Sequence, residues 1–307
     1  MRLGVLIDLR SSVAEICEQV RGLTERGFAS AWASQIFGYD AIGLLSVVGA
    51  KVPDIELGTA VVPVYSRHPQ VMAQQALTAQ GASDGRFVLG VGLSHQVVVE
   101  GMWGLSFEHP ARYLREYLSA LVPMLHGEAV HVEGEHVTAR SAGPLDVPRT
   151  TPAPQVVVAA LGPTMLRIAG TVADGTVTWM TGTKTVAGHI VPAISAAARD
   201  AGRPAPRVVV SLPVTVTSDA EAARRRIDEA LAIYPTLPSY RAMLDREGAT
   251  APSDVALVGD EHAVAAGVRR VEETGTTDFV VSVVGSTEER NRTVELLSSI
   301  ASGTPER

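Results

Sequence analysis

Eight short apolar segments recur along this chain of 307 residues, and their spacing restricts the fold more than any other feature. Each is followed by a longer stretch with apolar residues at helical spacing, so the chain alternates between strand-like and helix-like patterns. The segments begin at Leu3, Phe28, Ile55, Phe87, Gln155, Gly175, Arg207 and Thr277. Continuous apolar runs are typical of parallel strands that helices cover on both faces. Eight strand–helix units in a chain of this length predict an α/β protein with a closed TIM (β/α)8 barrel.

Two intervals are longer than a strand–helix connection needs, and we expect them to be insertions after strands 4 and 7. The first covers about residues 127–154 and includes a predicted hairpin over 129–137. The second covers about residues 218–252 and begins with a helix predicted over 219–233. Because it follows the seventh strand, it should lie over the carboxyl ends of the strands, where such barrels have their active sites. No linker divides the chain, so residues 1–307 are predicted to form one domain.

Charge and composition exclude several classes of partner. The formal net charge is −7, and neither a basic patch nor a Lys-rich tail indicates nucleic-acid binding. No apolar run reaches the roughly 18 residues of a membrane span, and the first residues lack a signal-peptide pattern. We therefore expect a cytoplasmic protein that binds neither nucleic acid nor membrane.

The single cysteine, Cys17, lies on the apolar face of a predicted helix and is interpreted as a buried thiol.

Two neighbouring strand ends carry the residue types that bind an anion. After the fifth strand come Ala159, Ala160, Leu161 and Gly162. After the sixth strand come Thr181, Gly182, Thr183 and Lys184. Small residues let a ligand approach the backbone, and exposed amides at the start of a helix attract phosphate. The two segments are therefore a candidate phosphate site, and the alternative is a pair of ordinary strand-to-helix turns.

The fourth strand ends in glycines and a histidine. Gly90 and Gly92 resemble the start of a dinucleotide-binding motif, but His95 stands in place of its third glycine and no acidic residue follows at the required distance. We reject that interpretation, and on a barrel the glycines would instead let the strand end pass close to a flat ligand. His95 lies just past the strand end, where an imidazole can orient or protonate a reacting oxygen. A hydrogen-bonded loop histidine is the alternative.

Other chemistries have weak support in the sequence. His131, Glu133 and Glu135 alternate as metal ligands on one strand would, but Gly134 interrupts the register and no further cluster accompanies them. We therefore predict no metal site. The sequence also lacks a nucleophile elbow, a P-loop and a Cys-x-x-Cys pair, which disfavours nucleophilic hydrolysis.

Three segments resemble the luciferase-like monooxygenase superfamily: LGTAVVPVYSRHP at 57–69, GRFVLGVG at 85–92, and Ala173-Asp174-Gly175. Each alone is weak, but together they are specific, and the resemblance covers nearly the whole chain. Within the superfamily, the run SHQVVVEGMWG at 94–104 is most similar to actinobacterial oxidoreductases that use coenzyme F420, an 8-hydroxy-5-deazaflavin. The resemblance implies a TIM barrel, a small-molecule substrate and a homodimer.

The resemblance also implies where the cofactor would lie. Its ring would rest at the carboxyl ends of the strands, against a cis peptide bond between Ala60 and Val61 after strand three. Its phosphate would bind to the two segments proposed above. The residues after strand four, Leu93, Ser94 and His95, would flank the ring.

One departure from the family pattern concerns the proton donor. Related deazaflavin enzymes often carry an acidic residue and a histidine after strand two, where this chain has Ser34 and Gln35. Neither is a good acid at neutral pH, although both can hydrogen-bond a cofactor or substrate oxygen. We therefore expect Ser34 and Gln35 to contact the cofactor, and His95 and Gln35 to be the catalytic residues.

The sequence thus predicts an F420-dependent oxidoreductase. It would transfer a hydride between the cofactor and a small organic substrate, such as an activated alkene, imine or carbonyl. An FMN-dependent luciferase-like monooxygenase is the alternative, because the two cofactors present a similar ring and phosphate. A barrel that binds the cofactor without turnover is a third hypothesis.

Overall fold

The computed structural model describes residues 1–148 and 152–303. Residues 149–151, within the first predicted insertion, and residues 304–307, at the end of the predicted domain, lie outside the described part. Among the described residues, no helix combines the length and the apolar character needed to cross a membrane. The strands are β1 (Arg2–Leu6), β2 (Ser30–Ala33), β3 (Glu56–Thr59), β4 (Val62–Pro63), β5 (Phe87–Gly92), β6 (His131–Glu133), β7 (Thr138–Arg140), β8 (Gln155–Ala159), β9 (Gly175–Trp179), β10 (Arg207–Val216), β11 (Leu257–Gly259) and β12 (Asp278–Val283).

Helices follow the strands throughout the described chain. They are α1 (Val13–Glu25), α2 (Ala41–Lys51), α3 (Pro69–Ala82), α4 (Gln96–Val99), α5 (Pro110–Leu125), α6 (Pro163–Val172), α7 (Thr183–Thr185), α8 (Val191–Asp200), α9 (Ala220–Ala230), α10 (Pro238–Glu247), α11 (Glu261–Glu272) and α12 (Thr287–Ala301). A π-helical turn, Val186–Ile190, connects α7 to α8 without a break. Cys17 is buried on the inner face of α1, as the spacing predicts.

Parallel strands close into a barrel in the order β1, β2, β3, β5, β8, β9, β10 and β12. Pairing of β1 with β12, which aligns Leu3 with Phe279, joins the first strand of the ring to the last. Each barrel strand begins within two residues of its predicted position. The predicted TIM barrel is therefore confirmed.

The first predicted insertion contains the expected hairpin, formed by β6 and β7. Its second strand lies at Thr138–Arg140, beyond the predicted range of 129–137. The carboxylate of Glu116 on α5 accepts hydrogen bonds from the backbone amides of Glu135, His136 and Val137, at 3.2, 2.8 and 3.0 Å. These bonds hold the turn of the hairpin against the outside of the barrel.

Trp32 fills the middle of the barrel. It is fully buried, and its indole nitrogen donates to the hydroxyl of Ser30 at 2.9 Å. It packs with inward-facing valines of the other strands, which are Val88, Val157, Val177, Val209 and Val280. Gly58 on β3 faces the indole, and a Cβ at that position would lie 2.5 Å from Cζ3 of Trp32. The glycine is therefore required by the size of the tryptophan.

A buried ion-pair network lies at the amino-terminal end of the barrel, beside Trp32. The Arg207 guanidinium donates to the carboxylates of Asp278 and Glu56 and to the amide oxygen of Gln155. Its Cζ atom lies 5.7 Å from the centre of the Trp32 ring. Burial alone would lower the pKa of Arg207, but the two carboxylates outweigh it and raise that pKa. The network joins β3, β8, β10 and β12 while keeping the buried charge paired.

Replacing Gly58 with alanine is expected to destabilise the barrel, because the new methyl group overlaps the Trp32 ring. The free energy of unfolding should fall by about 1–3 kcal/mol, measured by urea denaturation. Gly81→Ala is the control, since nothing lies within 4 Å of a Cβ at that position in α3. This control should be neutral or stabilising, because alanine is the better helix former. Equal stability of the two variants would contradict the packing described.

Candidate active site

Trp179 at the end of β9 and Ser211 in the middle of β10 form a floor above Trp32. Val177 and Val209 pack inside the barrel, and because side chains alternate along a strand, Trp179 and Ser211 also face inward. These two residues are partners in the register of β9 and β10. The Trp179 indole nitrogen and the Ser211 hydroxyl are buried; the Tyr234 side chain lies beside the indole nitrogen, and the Ser211 hydroxyl has no hydrogen-bond partner among the described residues. Since an unpaired buried polar atom is costly, the Ser211 hydroxyl is available to a bound polar molecule.

The peptide bond between Ala60 and Val61 is cis, as the resemblance implied, and it lies between β3 and β4. Both side chains are half-buried at the edge of the interior cluster. The glycines of β5 make room for this part of the backbone. A Cβ on Gly92 would lie 2.6 Å from Cγ2 of Val61, and one on Gly90 would overlap the carbonyl oxygen of Thr59. They accommodate the protein's own chain, and the expected approach of a flat ligand to this strand end stays a prediction.

His95 lies at the mouth of the barrel, half-buried, immediately before α4. It follows Leu93, which is also half-buried, and Ser94, whose φ of 61° is in the left-handed region. Neither ring nitrogen of His95 hydrogen-bonds another described residue, so the alternative of a hydrogen-bonded loop histidine has no support here. Burial lowers the pKa of His95, which keeps the imidazole neutral at pH 7. A neutral, unpaired imidazole can donate one hydrogen bond and accept another.

The second insertion covers the carboxyl end of the barrel, as predicted. The rings of Trp179 and Tyr234 are 6.2 Å apart, those of Tyr234 and Tyr240 are 4.8 Å apart, and those of Tyr240 and His95 are 6.0 Å apart. This row of rings connects the end of β9 to the end of β5. Burial raises the pKa of Tyr240, so its phenol stays protonated.

The predicted helix of this insertion is shorter than expected. The sequence predicted residues 219–233, but α9 ends at Ala230 and the chain continues into a short 3-10 turn, Tyr234–Thr236. A further helix, α10, starts at Pro238 and was not predicted. Proline suits the first position of a helix, so Pro238 was the signal for this helix start in the sequence.

Ser34 and Gln35 follow β2, and both are half-buried. The amide oxygen of Gln35 accepts hydrogen bonds from the backbone nitrogen of Ala41 at 3.1 Å and from Nη2 of Arg67 at 3.2 Å. Only the amide nitrogen of Gln35 is left to contact a ligand. The same guanidinium pairs with Asp40. Sequence reasoning missed Arg67, a largely buried cation that donates to Gln75 of α3 and also to Gln35 and Asp40 of the preceding strand–helix unit.

The first half of the candidate phosphate site lies where β8 leads into α6. Ala160 is buried, while Ala159, Leu161 and Gly162 are half-buried. No side chain caps α6, and a Cβ built on its N-cap residue, Gly162, would meet nothing within 4 Å. Nε2 of His189 lies 2.8 Å from the carbonyl oxygen of Leu161, which ties this segment to the helix that follows β9. The start of α6 is therefore open to an anion.

The second half of the candidate phosphate site already holds an anion from the protein. The carboxylate of Glu247, on α10, accepts hydrogen bonds from the amides of Lys184 and Thr185 at 3.1 and 2.7 Å. It also accepts one from the Thr185 hydroxyl at 2.7 Å. Thr181 and Gly182 are buried below it, and Thr183 is half-buried. The Lys184 side chain is exposed, and its ammonium forms no ion pair with a described residue.

A profile of the family described as luciferase-like monooxygenase matches residues 1–286. The chain belongs to this family. The F420-dependent glucose-6-phosphate dehydrogenase of Nakamurella multipartita is a sequence relative that is 30% identical over 240 residues, which cover 72% of this chain and 70% of that protein. The family prediction from the sequence is thereby confirmed.

Two solved structures illustrate the range of luciferase-like monooxygenase relatives. The coenzyme F420-dependent tetrahydromethanopterin reductase of Methanopyrus kandleri matches with a TM-score of 0.81 and 22% identity, covering 97% of both chains. A type II Baeyer-Villiger monooxygenase of Pseudomonas putida, solved in complex with FMN, matches with a TM-score of 0.76 and 17% identity, covering 100% of both chains. At these identities the likeness shows the shared fold.

The burial of His95 has a consequence for stability against pH. Its pKa in the folded chain lies below the ordinary value for histidine, about 6.5, so the imidazole becomes protonated at a higher pH in the unfolded chain than in the folded chain. The free energy of unfolding should therefore decrease as the pH falls through about 6.5 towards the folded-state pKa. The loss between about pH 7 and pH 5 should be smaller in His95→Gln than in the wild type.

Urea unfolding at a series of pH values measures this effect. His262→Gln, which alters an exposed histidine of α11, is the matched control and should retain the wild-type dependence. The same pH dependence in His95→Gln and in the wild type would show that His95 does not titrate as its burial requires.

Proposed function

We propose that this chain is an oxidoreductase that binds a deazaflavin of the coenzyme F420 type and transfers a hydride between it and a small organic substrate. The observation that carries the proposal is the floor of the barrel mouth. There, the Ser211 hydroxyl in the middle of β10 is buried without a hydrogen-bond partner among the described residues, beside Trp179 at the end of β9. The F420-dependent relative at 30% identity supports the choice of deazaflavin.

The residues present fit the ring of such a cofactor. Ala60, Val61 and Ala159 are small and half-buried, and they lie at the edge of the interior cluster. Ser211 and Trp179 supply polar atoms for the heteroatoms of a ring. When bound, the reduced deazaflavin supplies the hydride.

The residues also fit the cofactor's phosphate in part. The open start of α6 at Gly162 offers backbone amides, and the unpaired ammonium of Lys184 offers a positive charge. Both would attract a phosphate group. The amides at the start of α7, in contrast, are already bonded to Glu247.

His95 is the residue that we propose to orient the substrate. Reduction of an alkene, imine or carbonyl requires one proton in addition to the hydride, and a neutral imidazole can hold or pass a proton at its Nδ1 or Nε2 atom. Tyr240 packs beside it and remains protonated. Gln35 has only its amide nitrogen free, so we propose it as a hydrogen-bond donor to a bound molecule rather than as an acid.

An FMN-dependent monooxygenase remains the second candidate function. It is supported by the FMN complex of the Baeyer-Villiger enzyme with the same fold. The ring floor and the phosphate contacts would suit either cofactor. The two functions are therefore distinguished by the relative affinity of the protein for coenzyme F420 and for FMN.

Fluorescence titration of the purified protein with coenzyme F420 and with FMN separates the two candidates. The proposal predicts a dissociation constant for coenzyme F420 in the micromolar range or below, and binding of FMN at least about tenfold weaker. The opposite preference would favour the monooxygenase. Binding of neither cofactor would contradict both functions.

Replacing His95 with glutamine should reduce turnover far more than cofactor binding. Glutamine keeps a hydrogen-bonding side chain but cannot transfer a proton, and general acid–base groups contribute about 10²–10⁴-fold to rate. We expect kcat to fall at least about tenfold, with the dissociation constant for coenzyme F420 unchanged. His262→Gln, on the outer helix α11, is the matched control and should keep wild-type kinetics. Wild-type kcat in His95→Gln would remove His95 from the mechanism.

A further inference from the structure

Glu247 makes an unusual connection between the second insertion and the barrel. It is the last residue of α10, yet its carboxylate lies at the start of the helix that follows β9. That helix begins at Thr183 and continues through α7, the π-helical turn and α8 to Asp200. Three donors converge on the carboxylate: the amides of Lys184 and Thr185 and the hydroxyl of Thr185.

The neighbouring glycine shows that this position is closely packed. A Cβ on Gly182 would overlap the carboxylate of Glu247, and it would lie 2.7 Å from its Cγ atom. The carboxylate thus occupies the space beside the backbone that a ligand would need in order to approach the same amides. Glu247 therefore fills an anion position that the fold itself provides.

A phosphate would compete for the same donors. The first amides of a helix carry a partial positive charge and bind either a carboxylate or a phosphate. Two anions in one place repel each other, and the repulsion is strong where water is partly excluded. The Lys184 ammonium, which would attract the phosphate, belongs to the same residue as one of the amides that donate to Glu247.

We propose that Glu247 is a specificity-determining residue that competes with the cofactor's phosphate for the amides of Lys184 and Thr185. The inference rests on the proposed function. Because of this competition, the phosphate contributes less to the free energy of cofactor binding in this chain than it would at an open helix start. It also means that a phosphate at these amides displaces Glu247 and releases the end of α10, whose Tyr240 packs on His95.

The contribution of the phosphate is measured by comparing ligands with and without it. Coenzyme F420 is compared with 8-hydroxy-5-deazariboflavin, and FMN with riboflavin, by fluorescence titration. The proteins are the wild type, Glu247→Gln and Asp245→Asn. The last removes one negative charge from the same helix at an exposed residue that pairs with Arg241, away from the amides.

In Glu247→Gln, the preference for the phosphate-bearing ligand should increase about tenfold over the wild type, because glutamine has no negative charge and is displaced more easily. Affinity for the phosphate-free ligand should stay the same. Asp245→Asn should show the wild-type preference. Inorganic phosphate should also raise the thermal unfolding midpoint of Glu247→Gln more than that of the wild type, because a ligand that binds the folded state stabilises it.

An unchanged preference in Glu247→Gln, with the ligands still bound, would overturn this inference and leave the proposed function intact. Failure of all four ligands to bind the wild type would overturn the proposed function and the inference with it. If Glu247→Gln does not fold, Glu247→Ala replaces it, since it also removes the carboxylate from the amides. The same increase in preference is then expected, and its absence would overturn the inference.

Discussion

The packing of Trp32 inside the closed ring of strands is the interaction on which the rest of the structure depends. An eight-stranded barrel has an interior that side chains must fill. The indole fills it together with valines of the surrounding strands, and Gly58 leaves the space that the indole needs. Below it, Arg207 is held by Asp278 and Glu56 at the amino-terminal end. Since these layers fill the lower part of the interior, we propose that a ligand binds at the carboxyl end.

The candidate active site follows from this arrangement. Above the tryptophan, the inner layer contains Trp179 and the unpaired Ser211 hydroxyl. Helix α10 bridges two sides of this mouth, because Tyr240 near its start packs on His95 and Glu247 at its end binds the helix after β9. The same helix therefore contacts both the proposed substrate-orienting residue and the proposed phosphate site. Cofactor and substrate binding are linked physically through α10 in this account.

The sequence predicted the barrel well because its signal is local. Strand starts and the hairpin are readable from short windows, and parallel strands bring their carboxyl ends together. Contacts distant in the chain were not predicted. Glu247 is 62 residues from Thr185, and Arg67 is 32 residues from Gln35, so no local pattern links either pair. The contacts of Gly90 with the Thr59 backbone and of Gly92 with the Val61 side chain were not predicted for the same reason.

A crystal structure of the chain bound to coenzyme F420 tests the central claim most directly. The account predicts that the ring lies at the carboxyl end of the barrel, against the Ala60–Val61 bond, with a heteroatom within hydrogen-bond distance of the Ser211 hydroxyl. It also predicts a phosphate at the start of α6, near Lys184. A ring bound outside the barrel mouth, or a Ser211 hydroxyl that remains unpaired in the complex, would contradict it.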